Sequence, residues 1–214
     1  MPLVIGGDHS VSIGTLSGMA RHLRKRRERL GLIWMDAHAD MNTPETSLSG
    51  NVHGMPLACI TGNGPRELTH IFGFAPKVDP RRVALVGIRD VDILEAPHVK
   101  QSGVRPFTMR HIDERGMRAV MREAIEIASG GSGGRFHLSF DMDGVDPAEA
   151  PGVGTPVRGG FSYREAHLAM EMVCDSGLLA SLEFVEVNPV LDEANRTALL
   201  AVELVLSALG KRIL

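Results

Sequence analysis

The sequence predicts an α/β fold: a three-layer α/β/α sandwich around a mainly parallel sheet. Three observations carry this. Short apolar runs alternate with longer amphipathic segments along the chain, the order from which parallel sheets are built. The clearest run, RVALVGI at 82–88, is apolar after its first residue, as in a strand covered on both faces. Acids and histidines follow directly after the runs, where open α/β sheets place their sites.

In order, residues 2–5 read as a strand closed by Gly6-Gly7, with Asp8-His9-Ser10 just beyond it. Ser10 or Ser12 is placed to cap a helix running to about Leu30. That helix carries the basic run 21–29. It has no interleaved aromatic residue, so a solvated helix end favoured by the C-terminal dipole is preferred over a phosphate-binding patch. Residues 31–35 are a second strand, delivering Asp36, His38 and Asp40 in alternation and so to one side of an extended strand end. A polar loop follows, then a short helix over 53–61 with Pro56 in its first turn. Residues 62–81, rich in glycine and proline, read as irregular. The strand at 82–88 ends in Arg89-Asp90-Val91-Asp92. A short strand at 104–108 and a helix over 113–129 come next. Residues 136–140 form a strand ending in Asp141-Met142-Asp143. After a glycine and proline loop come a helix over 163–174, a strand over 178–187 that includes Glu186, and a helix over 195–209.

Composition bounds the rest. With 214 residues, 43% hydrophobic and 23% charged, the chain reads as one soluble domain over 1–214. A net charge of −3 gives no bulk attraction to nucleic acid or an anionic membrane. No apolar run reaches membrane-spanning length. Cys59 and Cys174 each lie in an apolar segment, which fits a reducing, cytoplasmic setting without disulfides or thiolate metal sites. The apolar part of MPLVIGGDHS is too short for a signal peptide. A chain that opens inside a strand is expected to lack what precedes it.

The strand ends gather ligand types. His9 and His38 offer nitrogen, and Asp36, Asp40, Asp141 and Asp143 offer oxygen. Four carboxylates brought together repel one another unless cations intervene. A donor set richer in oxygen than nitrogen suits manganese, with zinc, cobalt or iron as alternatives. Two such ions activate water for hydrolysis.

GGDHS at 6–10, DAHAD at 36–40, SGNVHGMP at 49–56, SFDMDGVDP at 139–147 and EVNP at 186–189 together resemble the ureohydrolase family, and within it the arginases. Five linked motifs in order and at matching spacing make the resemblance specific. It implies hydrolysis of the guanidinium of L-arginine to L-ornithine and urea with two Mn²⁺ ions. One ion would be held by His9, Asp36, Asp40 and Asp141, the other by Asp36, His38, Asp141 and Asp143. Hydroxide would attack the guanidinium carbon, and Asp40 would pass a proton to the leaving amine. His53 would shuttle protons and Glu186 would pair with the guanidinium. Asn42 and Ser49 would meet the α-carboxylate and Asp92 the α-amine. These donors favour arginine over agmatine, which has no carboxylate. The alternatives are an agmatinase or other guanidino-acid ureohydrolase, and an inactive truncated paralogue that serves as a binding partner. The resemblance further implies a homotrimer or homohexamer, and a family segment before GGDHS that this chain lacks.

Overall fold

A computed structural model describes residues 1–131 and 133–212. Six strands form one sheet: β1 (Leu3–Ile5), β2 (Gly31–Met35), β3 (Val83–Ile88), β4 (Arg105–Thr108), β5 (Phe136–Asp141) and β6 (Leu179–Val185). Their order is β1-β6-β5-β2-β3-β4, and every pairing is parallel. The helices are α1 (Val11–Lys25), α2 (Pro56–Thr61), α3 (Arg66–Thr69), α4 (Ala96–Gln101), α5 (Met109–Arg115), α6 (Met117–Ser129), α7 (Tyr163–Ser176) and α8 (Arg196–Ala208).

The strands divide two cores between their faces. Ile33 and Met35 of β2, with Ala84 and Val86 of β3, pack under α6, α7 and α8. Leu32 and Trp34, with Val83 and Leu85, pack under α1 and α2. Alternate side chains of one strand thus serve opposite layers, which is why β2 and β3 are apolar throughout. The predicted three-layer α/β architecture is the one observed.

Boundaries differ where local chemistry intervenes. The first helix stops at Lys25 rather than near Leu30, because Arg27 turns left-handed (φ 60°). Ser10 gives that helix no side-chain cap; its own amide donates to Asp8 Oδ1 (2.9 Å). The helix expected over 53–61 is a 3₁₀ turn, Val52–Gly54, followed by α2 with Pro56 at its start. The stretch 62–81, read as irregular, contains the single turn α3. The helix expected over 113–129 is two helices, α5 and α6, parted by Gly116 at φ 78°, a conformation glycine adopts without steric cost.

The correction nearest the site concerns Asp36, His38 and Asp40. The strand ends at Met35, and Asp40 adopts φ 52°. A curled loop, not strand alternation, turns these three groups inward.

Candidate metal centre

The sheet order reverses between β2 and β5: β2 leads to β3 and β4 on one side, and β5 returns on the other. Such a reversal opens a crevice beyond the strand ends. In register, Met35 faces Phe140, so Asp36 and Asp141 emerge side by side. Phe140 faces Phe184, and Ile5 also faces Phe184. Glu186 and the His9 loop therefore enter the same crevice.

There the sequence-predicted groups meet. His9 Nδ1 lies 2.9 Å from Asp141 Oδ2, 3.1 Å from Asp40 Oδ2 and 3.3 Å from Asp36 Oδ2. His38 Nδ1 lies 3.1 Å from Asp143 Oδ2 and 3.5 Å from Asp36 Oδ1. His9 and the four aspartates are buried, and His38 is partly buried. Two triads, His9–Asp36–Asp141 and Asp36–His38–Asp143, have ligand atoms close enough to share one cation each. Asp36 belongs to both. His9 Nδ1 is buried with no hydrogen-bond partner that satisfies its geometry.

Charge is the outstanding feature of this cradle. Burial and the Asp36 charge push Asp40 up to about 8. Burial, Asp143 and Asp36 raise Asp141 well above the carboxylate range. Burial would depress the histidines, but bonds to the aspartates win: His9 is raised well above its usual value, and His38 reaches about 12. Burial would raise Asp36 as well, yet His38 and His9 hold it low. Without cations the cradle holds protons in their place, which is how an excess of buried carboxylates behaves. An orphaned imidazole nitrogen facing carboxylate oxygens fits a divalent ion.

Fixed neighbours orient these groups. Trp34 Nε1 donates to Asp36 Oδ2 (3.0 Å), and its ring stacks on His9 at 4.1 Å. Asp143 accepts from Thr155 Oγ1 (2.9 Å). The Arg89 guanidinium donates to the carbonyls of Asp143 (2.7 Å), Gly144 (3.0 Å) and Val157 (2.7 Å), tying down the loop that follows β5.

Above the cradle is a cavity of about 160 Å³, lined by His9, His38, Asp40, Asn42, Ser49, His53, Asp92, Asp141 and Asp143 among others. Asn42 Nδ2 donates to Asp92 Oδ2 (3.0 Å). Ser49 is exposed on the same rim. Glu186 sits at the mouth with φ 61°, accepts the His9 amide at 2.7 Å, and lies 3.9 Å from His53 Nδ1. Burial raises its carboxyl. Each predicted site residue thus lies at this crevice or its rim.

Several neighbours outside the predicted set complete the site. Asp8 joins His53 and Glu186 at the mouth; its place beside His9 in GGDHS was the available signal. Glu95, buried, accepts the Met41 amide (2.7 Å) and braces the polar loop. Thr155, Trp34 and Arg89 carried no pattern that marked them.

A parallel α/β/α sheet with a carboxylate-rich crevice at its reversal point is the arrangement of a metal-dependent α/β enzyme. The chain matches the arginase family over residues 1–210, and it belongs to that family of enzymes. It is 54% identical to an arginase of Bacillus subtilis over 213 residues, spanning all of this chain and 70% of that protein. Its fold matches the arginase of Bacillus caldovelox with a TM-score of 0.95 at 51% identity, over 100% of this chain and 70% of the other. An Entamoeba histolytica arginase, solved in complex with L-ornithine, matches with a TM-score of 0.88 at 38% identity, over 98% and 69%. Among the described residues no helix is long and apolar enough to cross a membrane.

Proposed function

We propose that this chain hydrolyses the guanidinium group of L-arginine, giving L-ornithine and urea, with two Mn²⁺ ions. The observation that carries the reading is the buried excess of carboxylate under one small cavity, in a chain of the arginase family. His9, Asp36, Asp40 and Asp141 would hold one ion and Asp36, His38, Asp141 and Asp143 the other; the oxygen-rich set suits manganese. When bound, the pair supplies charge neutralisation and the activation of water near neutral pH.

The chain's own groups do the rest. At the mouth, the Glu186 carboxylate pairs with the guanidinium and fixes its carbon over the cradle. Asp40 takes the proton of the attacking water and delivers it to the nitrogen that leaves with ornithine. His53, at the rim 3.9 Å from Glu186, relays protons between cavity and solvent. Asn42 and Asp92, paired at 3.0 Å, are complementary to the two charges of an amino acid. Asn42 and Ser49 donate to its carboxylate and Asp92 accepts from its ammonium. We extend the reading to a cytoplasmic homotrimer or homohexamer; exposed Leu199 and Val202 on α8 support association, and sedimentation velocity tests it.

Urea and ornithine release by the Mn²⁺-loaded full chain tests the activity. Arginine should be turned over and agmatine poorly. Faster release from agmatine would sink the substrate assignment, and no release from either would sink the hydrolase reading.

A further inference from the structure

Beneath the cradle lies a second polar assembly that the proposed reaction does not use. On β5 and β6 the residues facing α1 are His137 and Ser139, and Ser181 and Glu183. They pair in register across the strands, His137 with Ser181 and Ser139 with Glu183. All four are wholly buried. Ser139 Oγ donates to Glu183 Oε1 (2.8 Å), and Ser12 Oγ of α1 donates to the same oxygen (2.5 Å). His137 Nε2 lies 3.3 Å from it, and His137 Nδ1 bonds Ser181 Oγ (2.7 Å). The upper end of the chain of contacts is His9, whose Nε2 is 2.8 Å from Ser139 Oγ.

The direction of these bonds is determined by Glu183. An ionised carboxylate only accepts, and a serine hydroxyl has one proton. Burial would raise the Glu183 carboxyl, but the His137 charge and bonds from His137 and Ser12 push it down to about 2, so it is ionised. Ser139 must spend its proton on Glu183 and turn a lone pair to His9. His9 must then donate from Nε2, so the proton that a cation displaces is the one at Nδ1, the nitrogen facing Asp36, Asp40 and Asp141.

We propose that Glu183 is a positioning residue for the metal centre: through Ser139 its carboxylate fixes His9 as the Nε2–H tautomer, so that Nδ1 is presented as a ligand. This rests on the reading of His9 as a metal ligand. The carboxylate acts one hydroxyl further away than in a direct carboxylate–histidine–metal arrangement. Glutamine at this position would offer both a donor and an acceptor, releasing Ser139 to donate to His9 and stabilise the wrong tautomer.

The test is Mn²⁺ binding to the chelator-stripped full chain, followed by the paramagnetic resonance signal of the free ion. The unaltered chain should take up two ions. In Glu183→Gln, one of the two should weaken by about 10- to 100-fold, well beyond any change in the other. Ser139→Ala should do the same, and the double variant should match Ser139→Ala alone, because both changes break one relay. If Glu183→Gln fails to fold, Glu183→Gln with His137→Gln removes the buried charge pair as a unit and carries the same expectation. Unchanged binding of both ions, equal weakening of both, or additive effects in the double variant would overturn the proposal. Failure of the unaltered chain to bind Mn²⁺ would instead overturn the metal reading, and this inference with it.

Discussion

The protein holds two buried histidine–carboxylate assemblies, one above the other, and they differ in charge. The lower one sets a single carboxylate, Glu183, against a single imidazole, His137, with Ser12 and Ser139 filling in as donors. The upper one sets four aspartates against two histidines. Both are walled in by the same sheet, so burial alone cannot explain the contrast. A single buried carboxylate matched by one imidazole and two hydroxyl donors is compatible with a structural role. A buried excess of one sign has no internal remedy and calls for something from outside. Ser139 joins the two, and through it the balanced pair orients the unbalanced one.

The largest expected effect breaks the upper assembly. Asp141→Ala removes a group shared by both proposed ions. Urea release should fall by more than the about 100-fold typical of losing an outer neighbour, and atomic absorption should find fewer than two Mn²⁺ per chain. Full occupancy in that variant would remove Asp141 from the ligand set.

Metal loading should also change how stability depends on pH. In the metal-free chain Asp40 is raised to about 8 and His38 to about 12. A raised carboxyl costs stability once it must ionise, between its unfolded value near 4 and about 8. A raised histidine contributes stability below about 6.5 that is lost as pH climbs toward about 12. Both slopes run the same way through neutrality, so the metal-free melting temperature should fall from pH 6.5 to 8. Mn²⁺ displaces those protons. It should flatten the fall and, at a hundredfold excess over Kd, add about 2.7 kcal/mol per ion. Parallel pH profiles with and without Mn²⁺ would contradict this.

The unbalanced assembly was legible in the sequence and the balanced one was not. Asp36, His38, Asp141 and Asp143 stand in tight clusters right after apolar runs, and strand ends are where α/β sheets hold their sites. The lower assembly hides inside strands. FHLSFD and LASLEFV alternate polar with apolar, the pattern of a strand with one face in water, yet both are buried. Only the packing of α1 over that face shows that His137, Ser139, Ser181 and Glu183 are gathered into one buried cluster. The same gap explains the misplaced geometry of the 36–40 loop: composition marked the ligands, but an aspartate signals the left-handed turn at Asp40 (φ 52°) only weakly.

At the rim the effects should be smaller and selective. Glu186→Gln should retain both ions and lose about 2 kcal/mol of transition-state pairing, roughly 30-fold in kcat/KM. Asn42→Ala should cost about tenfold for arginine, on the scale of one hydrogen bond to a charged group, and leave agmatine turnover nearly unchanged. Equal losses on both substrates would mean that Asn42 supports the loop rather than reading the carboxylate.

The finest test sets the two assemblies against each other in acid, without metal. Glu183 sits at about 2 when folded, against an ordinary value of 4.5. A depressed carboxyl contributes stability above its unfolded value, and that contribution is lost as pH falls through the folded one. Between pH 4.5 and 2 the lower assembly should therefore weaken the fold. In the upper assembly Asp36, which is also held low, loses its contribution in acid, whereas Asp40 and Asp141, already protonated in the metal-free chain, should add nothing to that loss. Replacing the lower pair by Glu183→Gln with His137→Gln should make the acid limb of the melting curve shallower. Asp40→Asn should not make it shallower and should instead flatten the fall between about pH 4 and 8. If the two variants exchanged these signatures, the charge contrast between the assemblies would be wrong, and with it the reason for expecting cations in one and not the other.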